Sequence, residues 1–413
     1  MKIIFCRECL YSSTHPLGIT FDDTGLCSGC IIHKEKFYLD WNDRWKKLKQ
    51  IVKLYKSKKN IYDCIVPVSG GQDSYFILHL VRKLNLNPLV VSYNKYFNTE
   101  VGIKNLANLR IKFNCDILFQ NVNPVSVKKI TRKTLVNFGN MYWPVLAGST
   151  VFPVQISVKY KIPLIIWGAH QGLEQVGMYS HTHNVEMTRR YRKDHDLFGY
   201  EAENLLNSFD NVTEEDIFQY FYPDDYQLNR IGTKGIYLGN YVRWDSKSQH
   251  EQMIKFYNYR SCSFNRTIDT YDYVDCHNYM NIHDLLKLYK HGYSKVTDHL
   301  TREIRFKRID RNSALRLVKK YETNKIKNSK LFCDWLGIDP KSLDFLLNSH
   351  KSKKFWKNID IDKWSFSGLN SIDLNNLSKN FKNKKFNNLK FLINSKNNFR
   401  KNYITFGKGV VQE

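Results

Sequence analysis

Residues 61–85, IYDCIVPVSGGQDSYFILHLVRKLN, constrain the fold more than any other part of this 413-residue chain. An apolar, β-branched run from Ile61 to Val68 stops at Ser69-Gly70-Gly71, and Phe76, Ile77, Leu80, Val81 and Leu84 then recur at helical spacing from Asp73 onward. The pattern reads as strand, glycine turn, helix. Two adjacent glycines let consecutive backbone N–H groups face one anion, and the helix start adds the positive end of its dipole. Such a turn is built for phosphate. The lysine of the G-x4-G-K-[ST] loop is missing, which disfavours a kinase or GTPase of the usual P-loop kind.

The same rhythm continues downstream. Residues 88–93 read as a second strand, 101–113 as a helix, 115–119 as a third strand, 145–160 as a helix, and 163–168 as a fourth strand running into Gly168-Ala169-His170. Alternation of this kind predicts an α/β fold around a parallel sheet. Ligands of open α/β sheets bind beyond the carboxyl ends of the strands, so residues 69–74, 92–94 and 168–174 should converge on one cleft. Ser92 and Gly168 are the strand-end candidates there. Ahead of the first strand, Trp41, Trp45, Leu48, Ile51, Val52 and Tyr55 mark an amphipathic helix within 40–60.

Four of the nine cysteines are patterned. Cys6, Cys9, Cys27 and Cys30 read C-x2-C, seventeen residues, C-x2-C, the spacing of a tetrahedral four-thiolate zinc site. Four thiolates close the coordination shell, so the expected role is structural rather than catalytic, with a redox pair as the alternative. Cys64, Cys115, Cys262, Cys276 and Cys333 are scattered, and the odd total argues against a disulfide framework.

Residues 170–196 are dense in chemistry, with His170, Glu174, His181, His183, Glu186, Arg189, Arg190, Arg192 and His195. The helical zinc pattern H-E-x-x-H is absent, which favours substrate contacts over a second metal. His170 and Glu174 are candidate catalytic groups, with a structural role as the alternative for each. Arg189 and Arg190 could each donate paired hydrogen bonds to a diphosphate or a carboxylate, with an exposed basic helix as the alternative.

At 42% hydrophobic and 14% aromatic residues, with a mean hydropathy of −0.50, the chain is too apolar for disorder and too polar for a membrane protein. No apolar run approaches the roughly 18 residues that span a bilayer, and the N-terminus lacks a secretory pattern, so a cytoplasmic location is expected. The net charge of +25 favours anionic partners without choosing among them. Part of the excess is local, since residues 351–413 hold 14 Lys and Arg against 4 Asp and Glu. The scattered aromatics of residues 316–413 suggest a packed appendage or a partner surface, with helices expected through Leu347.

The hexapeptide Ser69-Gly70-Gly71-Gln72-Asp73-Ser74 resembles the SGGxDS signature of the PP-loop ATP pyrophosphatases. The resemblance implies ATP cleaved between its α- and β-phosphates. Ser69, Gly70, Gly71, Gln72 and Ser74 would hold pyrophosphate, Asp73 would help hold Mg²⁺, and adenine would lie against the second strand's end. Residues 236–253, residues 281–315 and the cysteine ribbon narrow the likeness: together, in order, they resemble the N-acetyl sugar amidotransferase family of bacterial surface-glycan pathways, including pseudaminic and legionaminic acid and O-antigen amidino sugars. That family implies conversion of an acetamido group to an acetamidino group through O-adenylation and attack by ammonia, and the sequence leaves open whether the sugar is free, nucleotide-linked or lipid-linked. In the second of these stretches Lys290 and Lys295 are candidate phosphate contacts, with plain surface charge as the alternative, and Asp298 and Arg305 are candidate substrate-site residues, with a salt bridge that shapes the site as the alternative.

No glutaminase is legible in the chain, since Cys6 follows five residues and no G-x-C-x-G elbow occurs. Ammonia is therefore expected from a separate glutaminase subunit, with a cyclase-like subunit forming the channel. The expected organisation is a zinc ribbon over 1–40, a PP-loop domain over 41–315 and a basic appendage over 316–413. The runner-up reading is a PP-loop enzyme that modifies a tRNA base. It fits the charge and the ribbon but lacks the second reactive cysteine pair that thiolation wants, so nucleic acid is disfavoured as a partner.

Overall fold

The computed structural model describes residues 3–56, 61–96, 98–327, 329–360, 363–368 and 410–411. At its centre five parallel strands, β1 (Cys64–Pro67), β2 (Pro88–Tyr93), β3 (Ile117–Gln120), β4 (Leu164–Trp167) and β5 (Lys234–Tyr237), run in the order β3-β2-β1-β4-β5. Ile65 lies opposite Leu89 on one side and Ile165 on the other, and Trp167 lies opposite Tyr237. The strand order reverses beside β1, so the chain leaving β1 enters the crevice where such sheets bind ligands.

Around the sheet lie α1 (Ser28–Lys34), α2 (Trp41–Tyr55), α3 (Gln72–Lys83), α4 (Glu100–Phe113), α5 (Pro124–Phe138), α6 (Trp143–Tyr160), α7 (Ser246–Tyr257), α8 (His277–His291), α9 (Lys295–Arg305) and α10 (Arg311–Glu322). Alternate strand residues point to opposite faces. Cys64, Val66, Val90, Leu164, Ile166 and Ile236 pack with Phe76, Leu80 and Val81 of α3 and Met253 of α7. Ile65, Leu89, Val91 and Ile165 pack with Phe152, Val154 and Ile156 of α6. Both faces are therefore covered, which is why the strands read as unbroken apolar runs.

Caps set several boundaries. The Asp40 side chain accepts hydrogen bonds from the N–H groups of Asn42 and Asp43 and starts α2, and Thr99 does the same for α4 through Gly102. Gly292, with φ of +75°, closes α8, so the stretch 281–315 holds most of α8, all of α9 and the start of α10. Strand β5 and helix α5 were not anticipated from the sequence.

The N-terminal cysteine segment is packed into the body of the molecule. Leu10 sits among Val296 and Leu300 of α9, and Tyr293 packs with Tyr11, Phe21 and the four patterned cysteines. After α10 come helices Ser329–Leu336 and Pro340–Ser349 and an antiparallel pair, Trp356–Asp360 with Lys363–Phe366. The helices expected through Leu347 are thus present. Phe381, Phe386 and Phe391 lie outside the described residues.

Candidate active site

The turn after β1 is shaped by its own hydrogen bonds. Ser69 N–H donates to Ser74 Oγ (3.0 Å), Ser74 N–H to Gly71 O (3.1 Å), and Gly71 N–H to Ser69 Oγ (3.3 Å). Gly70 has φ of +86°, and a Cβ there would stand 3.1 Å from Gly102 O and from Leu106 Cβ. Both the backbone conformation and the approach of α4 therefore require glycine. Gly71 is the N-cap of helix α3 and offers no side-chain cap, which leaves the N–H groups of Gln72 and Asp73 to face a ligand.

Two adjoining cavities open on this turn. The smaller, about 300 Å³, is polar and runs from Ser69, Gly71 and Asp73 to Glu174, Asp272, Asp275 and Asp298. The larger, about 510 Å³, reaches from Ser69 and Asp73 past Val91 and Tyr93 of β2 to Gly168 at the end of β4, with Phe152 of α6 and Lys287 of α8 in its walls. Ser69, Asp73, Lys95 and Lys295 line both. The expected convergence of the β1, β2 and β4 ends is therefore seen, carried by the second strand's Tyr93 and Lys95. Ser92 itself is buried within β2 and lines neither cavity.

Asp73 is hydrogen-bonded by the Gln72 side-chain amide. Burial, with the Asp272 carboxylate nearby, pushes its carboxyl up to about 7. Asp272 faces the same polar cavity. Burial works against its charge, but His299 at 3.2 Å and Arg302 at 3.1 Å hold it well below the usual carboxylate range. Asp269, Asp272 and His299 cluster closely, yet Arg302 already neutralises both carboxylates. The carboxylate that faces both cavities with no ion pair among the described residues is Asp73, and a hard divalent cation would seat there.

Lysines from α8 and α9 carry positive charge into the site. Lys295 Nζ reaches Tyr273 Oη at 2.5 Å and lies 3.7 Å from Asp298. Asp298 also pairs with Lys287 and accepts from Tyr11 Oη at 3.0 Å. Burial pushes Lys287 down to about 8, with Asp298 pulling the other way. Lys95 pairs with Asp275, and Lys290 donates to Phe138 O at 2.7 Å.

Glu174 lines the polar cavity with one oxygen on the buried Lys36 Nζ at 2.6 Å. Lys36 also donates to Trp244 O at 2.7 Å. His170 stands elsewhere. It is 1% exposed, lines neither cavity, and packs its ring on Tyr179, Tyr191 and Tyr237, while burial pushes it down to about 3. A neutral ring behind the wall, with neither nitrogen hydrogen-bonded, packs rather than transfers protons.

Arg189 and Arg190 also lie outside both cavities. Arg189 bonds Glu201 at 2.9 Å and Glu203 at 3.1 Å, and Arg190 lies 3.6 Å from Asp194. Their charges are committed to carboxylates that follow 4 to 14 residues later in the chain. Arg305 borders the polar cavity, but its guanidinium turns to the cysteines. It donates to Cys30 Sγ (3.4 Å) and Cys27 Sγ (3.5 Å), and to the carbonyls of Glu174 and Gln175 (both 2.9 Å).

The four sulfurs of Cys6, Cys9, Cys27 and Cys30 lie within 4.8 Å of one another and are buried. Cys6 and Cys30 are 3.9 Å apart and Cys9 and Cys27 3.6 Å. Zinc–sulfur bonds of 2.3 Å give a tetrahedral edge of about 3.8 Å, so the set fits a four-thiolate ion. N–H groups of Cys9 and Cys27 point at Cys6 Sγ (3.5 and 3.3 Å), and Arg305 adds a cation, as an anionic thiolate cluster requires.

Residues 253–369 match the family model described as LPS biosynthesis protein WbpG-like, C-terminal domain. That segment supplies Asp272, Tyr273, Asp275, Lys295, Asp298 and Arg302 to the cavities, while the glycine turn lies outside it. An uncharacterized protein of Methanocaldococcus jannaschii is 26% identical over 117 residues, 28% of this chain and 42% of its own length. The chain thus spans less than half of that curated relative. Among solved structures, an NH3-dependent NAD synthetase from Campylobacter jejuni overlaps 45% of this chain and 99% of its own at 13% identity and a TM-score of 0.28. An NMN synthetase from Francisella tularensis overlaps 53% and 96% at 11% identity, with the same TM-score.

Lys95, Asp272, Tyr273 and Asp275 were missed by sequence reasoning. Lys95 follows β2 by two residues and is reachable by the strand-end rule that selected Ser92. The other three sit in an irregular connection between α7 and α8, where no periodicity marks them.

Proposed function

We propose that this chain is an ATP-dependent, AMP-forming amidotransferase that converts the acetamido group of a bacterial surface-glycan sugar into an acetamidino group. The observation that carries the proposal is the open turn at Ser69–Gly71, which shares one continuous space with the β4 end at Gly168 and the lysines of α8 and α9. ATP would lie with its outer phosphates on that turn and its base toward Val91 and Tyr93. Magnesium would be held at Asp73, with Asp272 facing it, and when bound would neutralise charge on the departing pyrophosphate.

An amide carbonyl is a poor electrophile. Transfer of AMP to its oxygen makes that oxygen a leaving group, and ammonia then attacks the imidate carbon. Lys95 and Lys295, at the junction of the cavities, are positioned to balance phosphate charge. No covalent enzyme nucleophile is required. Cys276 is the one cysteine lining the larger cavity among the described residues, which favours amidation over thiolation of a tRNA base. Ammonia would come from a separate glutaminase subunit through a cyclase-like channel subunit, and the cysteine cluster would hold zinc.

The chain, ATP, Mg²⁺ and ammonium are incubated with free and nucleotide-linked N-acetyl sugars and analysed by mass spectrometry. Replacing the amide oxygen by NH should lower the sugar's mass by about one unit while ATP supplies the leaving group. An unchanged mass across the panel would argue against the proposal. Efficient turnover with glutamine alone would argue against the partner.

A further inference from the structure

We infer that Asp196 is the base that takes a proton from the attacking ammonia and then faces the cationic amidinium product. The inference rests on the amidotransferase reading above.

The cavity chemistry singles this residue out. Among the described residues that line the larger cavity, the carboxylates are Asp73 and Asp196, against Lys95, Lys287, Lys290 and Lys295. Asp73 belongs to the glycine turn and the phosphates. Asp196 lines the same cavity as Gly168, and its carboxylate acts on the Tyr237 hydroxyl, which belongs to the residue opposite Trp167 of β4, the strand near whose end the reacting group is expected. It closes a five-residue π-helical turn, Arg192–Asp196, an irregularity that costs regular hydrogen bonding and recurs at functional positions.

The Asp196 side chain makes no hydrogen bond or ion pair among the described residues. Arg192, on the same turn, is engaged by Glu201 (3.0 Å), Thr150 Oγ1 (2.9 Å) and Ala147 O (3.3 Å). The other titratable groups about Asp196 are the Tyr191 and Tyr237 hydroxyls and the adjacent His195. Burial pushes the Asp196 carboxyl up to about 7, so near neutrality it can both accept and release a proton.

The proton balance calls for such a group. Ammonia adds to the adenylated carbon, forming a C–N bond whose nitrogen carries three hydrogens and a positive charge. That nitrogen cannot share electrons with carbon until one proton leaves. Asp196 accepts it. The C–O bond to AMP then breaks with its electron pair on AMP, and the remaining N–C–N unit is an amidinium. On product release Asp196 passes its proton to water, and the carboxylate is restored. A planar N–C–N cation and a carboxylate match as a guanidinium and a carboxylate do.

The test uses the full chain, Asp196→Asn and Asp196→Glu, with the acetamido sugar that supports turnover. It measures sugar-dependent ATP–pyrophosphate exchange and, separately, ¹⁵N-ammonium incorporation at fixed free ammonia. Asp196→Asn should keep exchange within about threefold of the parent while incorporation falls about 10²- to 10⁴-fold, with partial recovery in Asp196→Glu. The parent's incorporation should rise with pH through about 7. Should Asp196→Asn fail to fold, this profile decides, and a flat one overturns the assignment. Undiminished incorporation in Asp196→Asn, or equal loss of exchange and incorporation, also overturns it. Absence of sugar-dependent exchange in the parent would remove the amidotransferase reading itself.

Discussion

Arg305 joins Cys27 to Glu174: its guanidinium donates to Cys27 Sγ at 3.5 Å and to the Glu174 carbonyl at 2.9 Å. The same side chain bonds Cys30 Sγ and Gln175 O, and Ser28 Oγ donates to Val176 O at 2.5 Å. One cysteine knuckle and one wall of the polar cavity therefore form a single hydrogen-bonded unit. A Cβ on Gly177 would overlap the backbone of Ser28, so the two segments are in direct backbone contact as well.

Removing the ion should accordingly disturb the cleft as well as the ribbon. The purified chain is expected to hold stoichiometric zinc by elemental analysis. Chelation should lower the melting temperature and weaken ATP binding measured by calorimetry. Arg305→Ala should do the same in part with zinc retained. Unchanged ATP affinity in the metal-free, folded chain would break this link.

Gly70→Ala tests the turn. Positive φ for alanine costs about 1–2 kcal/mol, and its Cβ would crowd Gly102 O and Leu106. ATP affinity should fall about tenfold or more, since 1.4 kcal/mol is a factor of ten. Affinity equal to the parent's would mean that ATP does not use this turn.

Lys36 and Glu174 form a pair with the lysine side chain 1% exposed. Lys36→Met leaves the Glu174 carboxylate without its buried partner and should cost about 3–5 kcal/mol in denaturant unfolding. Lys36→Met combined with Glu174→Gln should recover much of that stability. Equal losses in the single and double variants would show that the pair is not the source.

Asp73 makes the magnesium-free chain sensitive to pH. Its folded carboxyl is raised to about 7, so the folded state binds the extra proton and stability falls as pH rises from the unfolded value, about 4, through 7. Compared with Asp73→Asn, the parent should lose stability across that window, and Mg²⁺ with ATP should restore it. A pH-independent difference between the two would contradict the burial of this group.

Much of the sheet was legible because its signals are local. The run through Val68, the paired glycines and the spacing of Phe76, Leu80 and Val81 all fall within one strand–turn–helix unit, and the C-x2-C pairs need only short knuckles. What escaped depends on distance along the chain. Arg189 reads as a ligand contact until folding brings Glu201 and Glu203 beside it, whereas Asp194, four residues after Arg190, was within reach of helical spacing. His170 follows a strand end, where catalytic groups gather, but three tyrosines from separate elements enclose it. Arg305 lies 275 residues from Cys30, so no spacing rule could link them. Strand β5 is only Lys-Gly-Ile-Tyr, too short for its period to stand out, and it acquires its identity from pairing with β4.

In the proposed function the turn at Ser69–Ser74 directs cleavage of ATP between its α- and β-phosphates. Its most direct test is the identity of the nucleotide products, followed by ³¹P NMR while an acetamido sugar and ammonium are turned over. AMP and pyrophosphate are expected in equal amounts and only when the sugar is present. ADP and orthophosphate would contradict that cleavage.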